Sequence, residues 1–293
     1  MNSLDPDTQS RIIAALVEGV SISSIVRMTG VAKTTILRLV RNVGAACQRF
    51  HDARVRCIDA RHVQCDEIWS FCYAKENHLP EELRGVEGFG SIWTWTALDA
   101  DTKLLISWLA STRSYEAAVA FIGDLKSRTP LNRIQLSTDG LPQYLYAVLK
   151  NYLPGDIHLG EVVKEFKSSK GQPGSSPNSA ESRYSPGRLV TVDKKIRLGE
   201  PDRKHISTSF MERWNLTLRM QNRRFTRLTN AFSKKFENHR HMIAMTVVFY
   251  NFCKPHKSLG GKTPAMAAGL TDYVWTPSDM LALEMWTGDR AAA

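Results

Sequence analysis

The sequence predicts an α/β protein: a mixed sheet with helices on its faces, preceded by a small all-α head of helix-turn-helix pattern. Three observations predict it. Residues 1–43 carry apolar residues at helical spacing in three short runs. Three runs rich in β-branched and aromatic residues follow between His62 and Ala110. Helix-periodic and strand-like stretches then alternate, as in a layered α/β domain.

The first helix places Ile12, Ile13, Leu16 and Val17 on one stripe and stops at Gly19. Ser21 is the expected N-cap of the second, which turns Ile22, Ile25 and Val26 inward and ends at the tight turn of Gly30. A third, over 33–42, buries Ile36 and Val40 and shows Thr34, Arg38 and Arg41 on its opposite face. A helix, a glycine turn and a helix with a basic face match a motif whose last helix enters the DNA major groove. A plain three-helix bundle used for packing or dimerisation has the same apolar pattern. Residues 44–60 read as a partly helical connector. Strands are expected over 62–74, 90–98 and 103–110, the last two joined by the turn at 99–102. A helix over 114–128 is striped by Ala117, Ala118, Phe121, Ile122 and Leu125. A strand over 133–138, a helix over 143–153 and the start of a strand at 156–158 follow. Residues 168–186 are rich in Ser, Pro and Gly and read as a flexible excursion. Two long helices are expected over 207–225 and 237–252.

These elements divide the chain into a helix-turn-helix domain (1–50), a linker (51–60), a sheet domain (61–260, with an insertion at about 167–206) and a C-terminal tail (261–293). No internal repeat is present. The longest apolar-leaning run, 242–253, is well short of the ~20 residues a membrane span needs. The chain does not open on a secretion signal. Its five cysteines form no CxxC pair, which disfavours structural zinc and suits reduced thiols in the cytoplasm.

The formal net charge is +10 and is concentrated. Between Arg183 and Lys235 there are 14 Lys or Arg against four acids, so this stretch alone accounts for the whole excess. Cations gathered on one surface are what a polyanion such as double-stranded DNA requires; a solvated basic face is the plainer alternative.

Three acids stand out. Asp66 lies inside the first strand, where Asp is disfavoured and a carboxylate beside apolar neighbours is costly without a cation. Asp139 ends the strand RIQLST and precedes Gly140, at the kind of strand end where ligand sites gather. Glu212 lies in a helix with Arg213, Arg219, Arg223 and Arg224. Two strand carboxylates and one from a helix suit Mg²⁺ or Mn²⁺, and two such ions support in-line phosphoryl displacement. Glu67 points to the other sheet face with Val63, Cys65, Trp69 and Phe71; alternation favours Asp66 but leaves the pair open. Asp139-Gly140 also reads as a simple turn, and Glu212 as a surface acid pairing with Arg219.

In order and placement the trio Asp66, Asp139 and Glu212 resembles the Asp-Asp-Glu (DDE) signature of the RNase H-like transposases and integrases. The stretches CDEIWSFCYAKE (65–76), LSTDGLPQY (136–144) and FMERWNLTLRMQNRRFTRLTNAFSK (210–234) are similar to transposases of the insertion-sequence-one family. YNFCKPHKSLGGKTPAMA (250–267) resembles the ending YNxxRPHxxLGxxTP of many integrase-type cores. The likeness is loose over 10–270 and close in these four blocks. Some relatives carry a Cys-rich zinc module before the helix-turn-helix; this sequence has none, which argues against zinc-assisted end recognition.

The resemblance implies an RNase H-like core and metal-dependent cutting of DNA at the ends of a mobile element, followed by attack of the freed 3′-hydroxyl on target DNA. Asp66 would bridge two Mg²⁺ (or Mn²⁺) ions, and Asp139 and Glu212 would each hold one. No covalent protein–DNA intermediate is implied. Arg219, Arg223 and Arg224, with Lys234 and Lys235 further off, would hold phosphates. Asn215 would touch the substrate or a water near the metals, and His256 and Lys257 either do the same or are structural. Thr34, Arg38 and Arg41 would contact DNA from the head. A homo-oligomer assembled on DNA, acting in the cytoplasm at the nucleoid, is the implied setting. Two other functions share the pattern: a helix-turn-helix regulator without catalysis, and an RNase H-like nuclease that cuts but does not join.

Overall fold

The computed structural model describes residues 4–167, 188–227 and 229–287; the excursion expected over 168–186 lies outside them. Three helices come first: α1 (Pro6–Val17), α2 (Ile22–Thr29) and α3 (Lys33–Arg54). Asp5 accepts from the Thr8 N–H and Ser21 from the Ser24 N–H, capping α1 and α2. Gly30 closes α2 at φ 69°, a left-handed value that penalises a Cβ. The stripe Ile12, Ile13, Leu16 and Val17 is buried. α3 runs on to Arg54 rather than ending near residue 42, because Val43, Ala46, Cys47 and Phe50 continue its buried stripe through the expected connector. Arg128 fastens its end, bonding to Asp52 and Asp124 and to the carbonyls of His51 and Val55.

Six strands build one mixed sheet: β1 (His62–Cys72), β2 (Gly90–Asp99), β3 (Leu105–Ser111), β4 (Ile134–Thr138), β5 (Ile157–Lys167) and β6 (Arg188–Leu198). Their order is β3-β2-β1-β4-β5-β6. The first three are antiparallel neighbours, β4 and β5 run parallel to β1, and β6 returns antiparallel along β5. β6 lies within the stretch expected as an insertion; β-branched Val190, Thr191, Val192 and Ile196 with charged Asp193, Lys194, Lys195 and Arg197 suit an edge strand. Helices α4 (Tyr115–Arg128) and α5 (Pro142–Asn151) pack on one face, against Val63, Cys65, Trp95 and Ala97. The other face carries α6 (Ser209–Gln221) and α7 (Phe236–Val248), through Ile68, Met211, Trp214, Leu218 and Ile243. Alternation along β1 thus separates two apolar layers. This mixed α/β architecture, one six-stranded mixed sheet with helices on both faces behind a helical head, is the fold class the sequence predicts.

One hydrophobic cluster runs from Ile12 in the head through the α4/α5 layer to Leu283. The stretch after 260, expected as a tail, contributes α8 (Pro264–Ala267), α9 (Pro277–Ala282) and two indoles. Phe50 of α3 meets Phe252, Trp275 and Trp286 at ring-centroid distances of 5.2, 5.0 and 5.4 Å. After α7 the helix loosens into a π-turn (Phe249–Cys253), and its Asn251 side chain bonds both the N–H and the C=O of Leu105, extending the sheet's ladder from the side.

Gly44 lets α3 lie against α7: a Cβ there would sit 2.4 Å from the His241 Cβ and 2.8 Å from its Cα. In an open helix Gly→Ala stabilises by about 1 kcal/mol. At this contact the backbones must part, and overpacking costs roughly 1–3 kcal/mol. Gly44→Ala is therefore expected to lower the thermal midpoint; a raised midpoint would show that α3 and α7 are not in contact here.

Candidate metal centre between β1 and β4

The site starts from strand register. The parallel ladder pairs His62 with Gln135, Val63 with Leu136 and Gln64 with Ser137, a constant offset of 73 positions. Continued past the last rung, the same offset would set Asp66 level with Asp139. Adjacent strands are about 4.8 Å apart, and the carboxylate oxygens of the two aspartates lie within 4.8 Å of each other. β4 ends at Thr138, while β1 continues, held only by β2, where Asp66 pairs with Thr96 and Glu67 with Trp95. The aspartates sit where the two strands separate.

Alternation sets what each side chain meets. Gln64 and Asp66 face α6. The Gln64 Oε1 accepts from the N–H groups of Phe210 (2.9 Å) and Met211 (3.3 Å), pinning the start of α6. One turn on, Asn215 Nδ2 donates to Asp66 Oδ2 at 2.8 Å, and Asp66 Oδ1 accepts from the Glu67 N–H at 2.8 Å. Asp139 Oδ1 accepts from the Leu141 N–H at 3.1 Å, a turn that starts α5 and that Gly140 permits with φ 78°. Glu67 leaves from the opposite face of β1 and is buried. Arg113 donates to its Oε1 through Nε (2.9 Å) and Nη2 (2.5 Å), and the Tyr144 hydroxyl to its Oε2 at 3.0 Å. Even so, carboxylate oxygens of Asp66, Glu67 and Asp139 lie within 4.8 Å of one another.

Glu212 stands apart from this trio. Its Oε1 is taken by Lys164 of β5 and by the Thr208 hydroxyl (3.0 Å). It remains near enough to act on Asp66, whose pKa is pushed up to about 7 by burial first, then by the charges of Glu67, Asp139 and Glu212. Glu67 is also raised, by burial and by Asp139, against the opposing pull of Arg113. Arg113 answers Glu67 and Lys164 answers Glu212; among the described residues no ion pair answers Asp66 or Asp139. Hard oxygen donors with unbalanced negative charge fit a divalent cation such as Mg²⁺ or Mn²⁺, and Asp66, Asp139 and a further carboxylate are the residues able to hold it.

The other residues expected at the site divide into groups. Arg219 is partly buried on the carboxylate flank of α6; burial and Arg227 lower its pKa while the charge of Asp66 raises it. Arg223, Arg224, Lys234 and Lys235 line a groove of about 520 Å³ together with Lys33 at the start of α3. In it Arg224 is pushed down to about 10 by burial, and its Nε has no partner among the described residues. Thr34, Arg38 and Arg41 are exposed on α3. His256 and Lys257 lie away from the carboxylates, beside Arg213 and Trp214. Sequence reasoning missed Arg113, Tyr144, Lys164 and Thr208, and left Glu67 undecided.

The fold and site together describe a mixed α/β protein with an acidic cleft at a strand divergence. No protein-family model and no curated protein matches the sequence. Among solved structures the chain is similar to a piggyBac transposase in a synaptic complex with hairpin DNA, seen by cryo-electron microscopy. The likeness has a TM-score of 0.36 at 10% identity and covers 97% of this chain and 71% of that one. No helix among the described residues is long and apolar enough to cross a membrane.

Because Asp66 ionises at about 7 when folded but near 3.8 when unfolded, its contribution to stability is fully present below pH 3.8 and is lost as pH rises through 7. The ceiling of this loss is about 4 kcal/mol. Asp66→Asn is accordingly expected to raise the metal-free thermal midpoint at pH 7.5, while abolishing any further rise on adding Mn²⁺. An unchanged midpoint, or a Mn²⁺-dependent rise that survives in the variant, would show that Asp66 neither carries this strain nor holds the ion.

Proposed function

We propose that this chain is the transposase of an insertion sequence, related to the insertion-sequence-one family, which cuts DNA at element ends and joins the freed 3′-hydroxyl to target DNA. One observation carries the reading: Asp66 and Asp139 lie where two parallel strands diverge, their carboxylate oxygens within 4.8 Å, and among the described residues neither has an ion pair. Asn215 of α6 holds Asp66 in place, and Glu212 is the further carboxylate within electrostatic reach.

In this reading Asp66, Asp139 and Glu212 hold two Mg²⁺ or Mn²⁺ ions, with Glu67 buried behind them. Bound ions would supply Lewis acidity to activate water or a 3′-hydroxyl and to stabilise the leaving oxygen. The chain's own residues do the rest. Asn215 keeps Asp66 in place, and Arg113 with Tyr144 holds Glu67 on the opposite face of β1. Arg219 meets a phosphate beside the reacting one. Arg223, Arg224, Lys234 and Lys235 hold the backbone further along. Thr34, Arg38 and Arg41 of α3 read the duplex as a helix-turn-helix would. The enzyme acts as a homo-oligomer assembled on DNA, in the cytoplasm at the nucleoid.

The test is strand transfer from a pre-cut end with a free 3′-hydroxyl in the presence of Mg²⁺ or Mn²⁺. Asp66→Asn, Asp139→Asn and Glu212→Gln should each abolish joining while DNA binding persists. Asn215→Ala, which removes only the support, should cost about 10–100-fold in activity or metal affinity. Cleavage without joined product would leave a nuclease; binding without reaction would leave a regulator. A second measurement concerns the head. Arg38→Ala with Arg41→Ala should weaken binding to element ends more than to random duplex, and equal losses on both would remove the sequence-reading role.

A further inference from the structure

α6 has a second functional flank. At 100° per residue, Glu212, Asn215 and Arg219 cluster on one side of the helix, and Phe210, Arg213 and Thr217 roughly 180° away. That far side borders a cleft of about 430 Å³. Lys103 from the β2–β3 turn, Arg213 from α6, and Lys254, His256 and Lys257 from the turn after the π-helix line it, with Trp214 in its wall. No acidic residue lines it among the described residues, and none of Lys103, Arg213, Lys254 and Lys257 has an ion pair there. The arrangement is built rather than floppy. The Lys103 ammonium lies 3.5 Å from the Phe210 ring centroid. The turn of His256 is tied by its N–H to the Lys262 carbonyl and by its carbonyl to the N–H groups of Leu259 and Gly261. Gly260 and Gly261, at φ 64° and 83°, make that turn possible.

Two further observations point to an absent anionic acceptor. The Trp214 indole Nε1 and the His256 Nε2 are both buried and without a hydrogen-bond partner among the described residues, and Trp214 is 1% exposed. Buried donors are nearly always satisfied, so each such exception calls for a ligand, water or ion. The cations also strain one another. The pKa of His256 is lowered by burial and then by Lys254, Lys103 and Arg213; that of Lys254 is lowered by burial and by Arg213, partly offset by Glu18.

We propose that this cleft binds a backbone phosphate of DNA, on the side of α6 opposite the carboxylates. The proposal rests on DNA being the substrate of the site described above. A helix is about 10–12 Å across, comparable with the ~12 Å width of a major groove. One duplex engaged at Asp66 and Asp139 can therefore offer a second phosphate to Lys254, Lys257 and Arg213. With the carboxylates engaged on its other side, α6 would then be clasped by substrate on both flanks.

Binding of a short fluorescent duplex to the full-length chain, without divalent metal and between about 50 and 200 mM salt, tests this. Each phosphate contact contributes about 0.9 to the slope of log affinity against log salt. Lys254→Ala with Lys257→Ala, both outside the apolar core, should flatten the slope by about 1–2 and weaken binding roughly five- to thirtyfold near 0.15 M salt. Lys→Arg at both positions should retain the slope, and Lys→Glu should weaken binding further than Ala. A slope and affinity equal to wild type in the Ala pair, while Lys234→Ala with Lys235→Ala lowers both, would overturn the proposal. So would a thermal shift with inorganic phosphate that the Ala pair abolishes while its DNA slope stays unchanged, since the cleft would then take a small anion instead. The two readings fail separately. A flattened slope in an enzyme that never joins DNA sinks the transposase reading alone; full joining with an unflattened slope sinks the cleft alone.

Discussion

The constraint on which the rest depends is the offset between β1 and β4. Three rungs of parallel ladder set it, and its continuation brings Asp66 and Asp139 level at the point where β4 stops and β1 goes on. A slip of one residue would turn Asp66 to the opposite face and bring Glu67 in its place. Much of the surrounding structure serves to prevent that. β2 holds β1 along its full length from the other side. Gln64, two residues before Asp66, binds the first N–H groups of α6 and so fixes where Asn215 and Glu212 fall. The register is bought against electrostatics: burial and three neighbouring acids raise Asp66 to about 7. In the proposed function the metal ions that these carboxylates would hold relieve that cost.

α6 transmits the arrangement outward. Its first turn rests on Gln64 at the acidic cleft, and its last meets the head, where Gln221 bonds Glu18 and the Met220 carbonyl lies against Gly19. A Cβ at Gly19 would come within 2.5 Å of that carbonyl, and the residue's φ of 81° already selects glycine. With Gly44 against His241, the head is seated on the sheet domain's helices at two glycine contacts and shares the hydrophobic cluster. The exposed basic face of α3 therefore stands at a set distance from the carboxylates, and the groove shared by Lys33 and Arg223, Arg224, Lys234 and Lys235 lies between head and core.

Much of this was legible in the sequence, for definite reasons. Helical stripes and strand alternation report burial directly, so the head helices, the first four strands and the start of the fifth could be read. Asp66 and Asp139 were visible because an Asp inside a strand and an Asp-Gly at a strand end each break a local pattern. Alternation could not decide Glu67: it tells which face a side chain leaves from, not that carboxylates from both faces meet where a strand loses its neighbour. Arg113 and Tyr144 are partners made by the tertiary fold, and nothing local marks them. α3 was read short because its stripe was followed only to Val40, whereas Val43, Ala46, Cys47 and Phe50 continue it. The C-terminal aromatics carried no periodicity, since Trp275 and Trp286 pack from irregular backbone and a short 3₁₀ turn. The second cationic cleft was hidden by the charge count itself. Outside 183–235 the chain sums to neutrality, and a sum cannot show that Lys103, Lys254 and Lys257 gather in one place.

That segregation is the more telling point. Among the described residues, two aspartates without an ion pair and four cations without one lie on opposite flanks of one helix. Folding for stability alone would pair them. Arg213 is the residue next to Glu212, and a shift of a fraction of a turn in α6 would bring a guanidinium over the carboxylates. Instead Gln64 pins the helix in the rotation that keeps them apart, and α6 turns Met211, Trp214 and Leu218 to the sheet between them. Local rules are broken in favour of ligands at functional sites, and here the broken rule is charge pairing, once with each sign. The ligand that relieves both must carry or recruit divalent cations on one side and offer negative charge on the other. The ligand proposed for this chain, a DNA backbone with its metal ions, would do both.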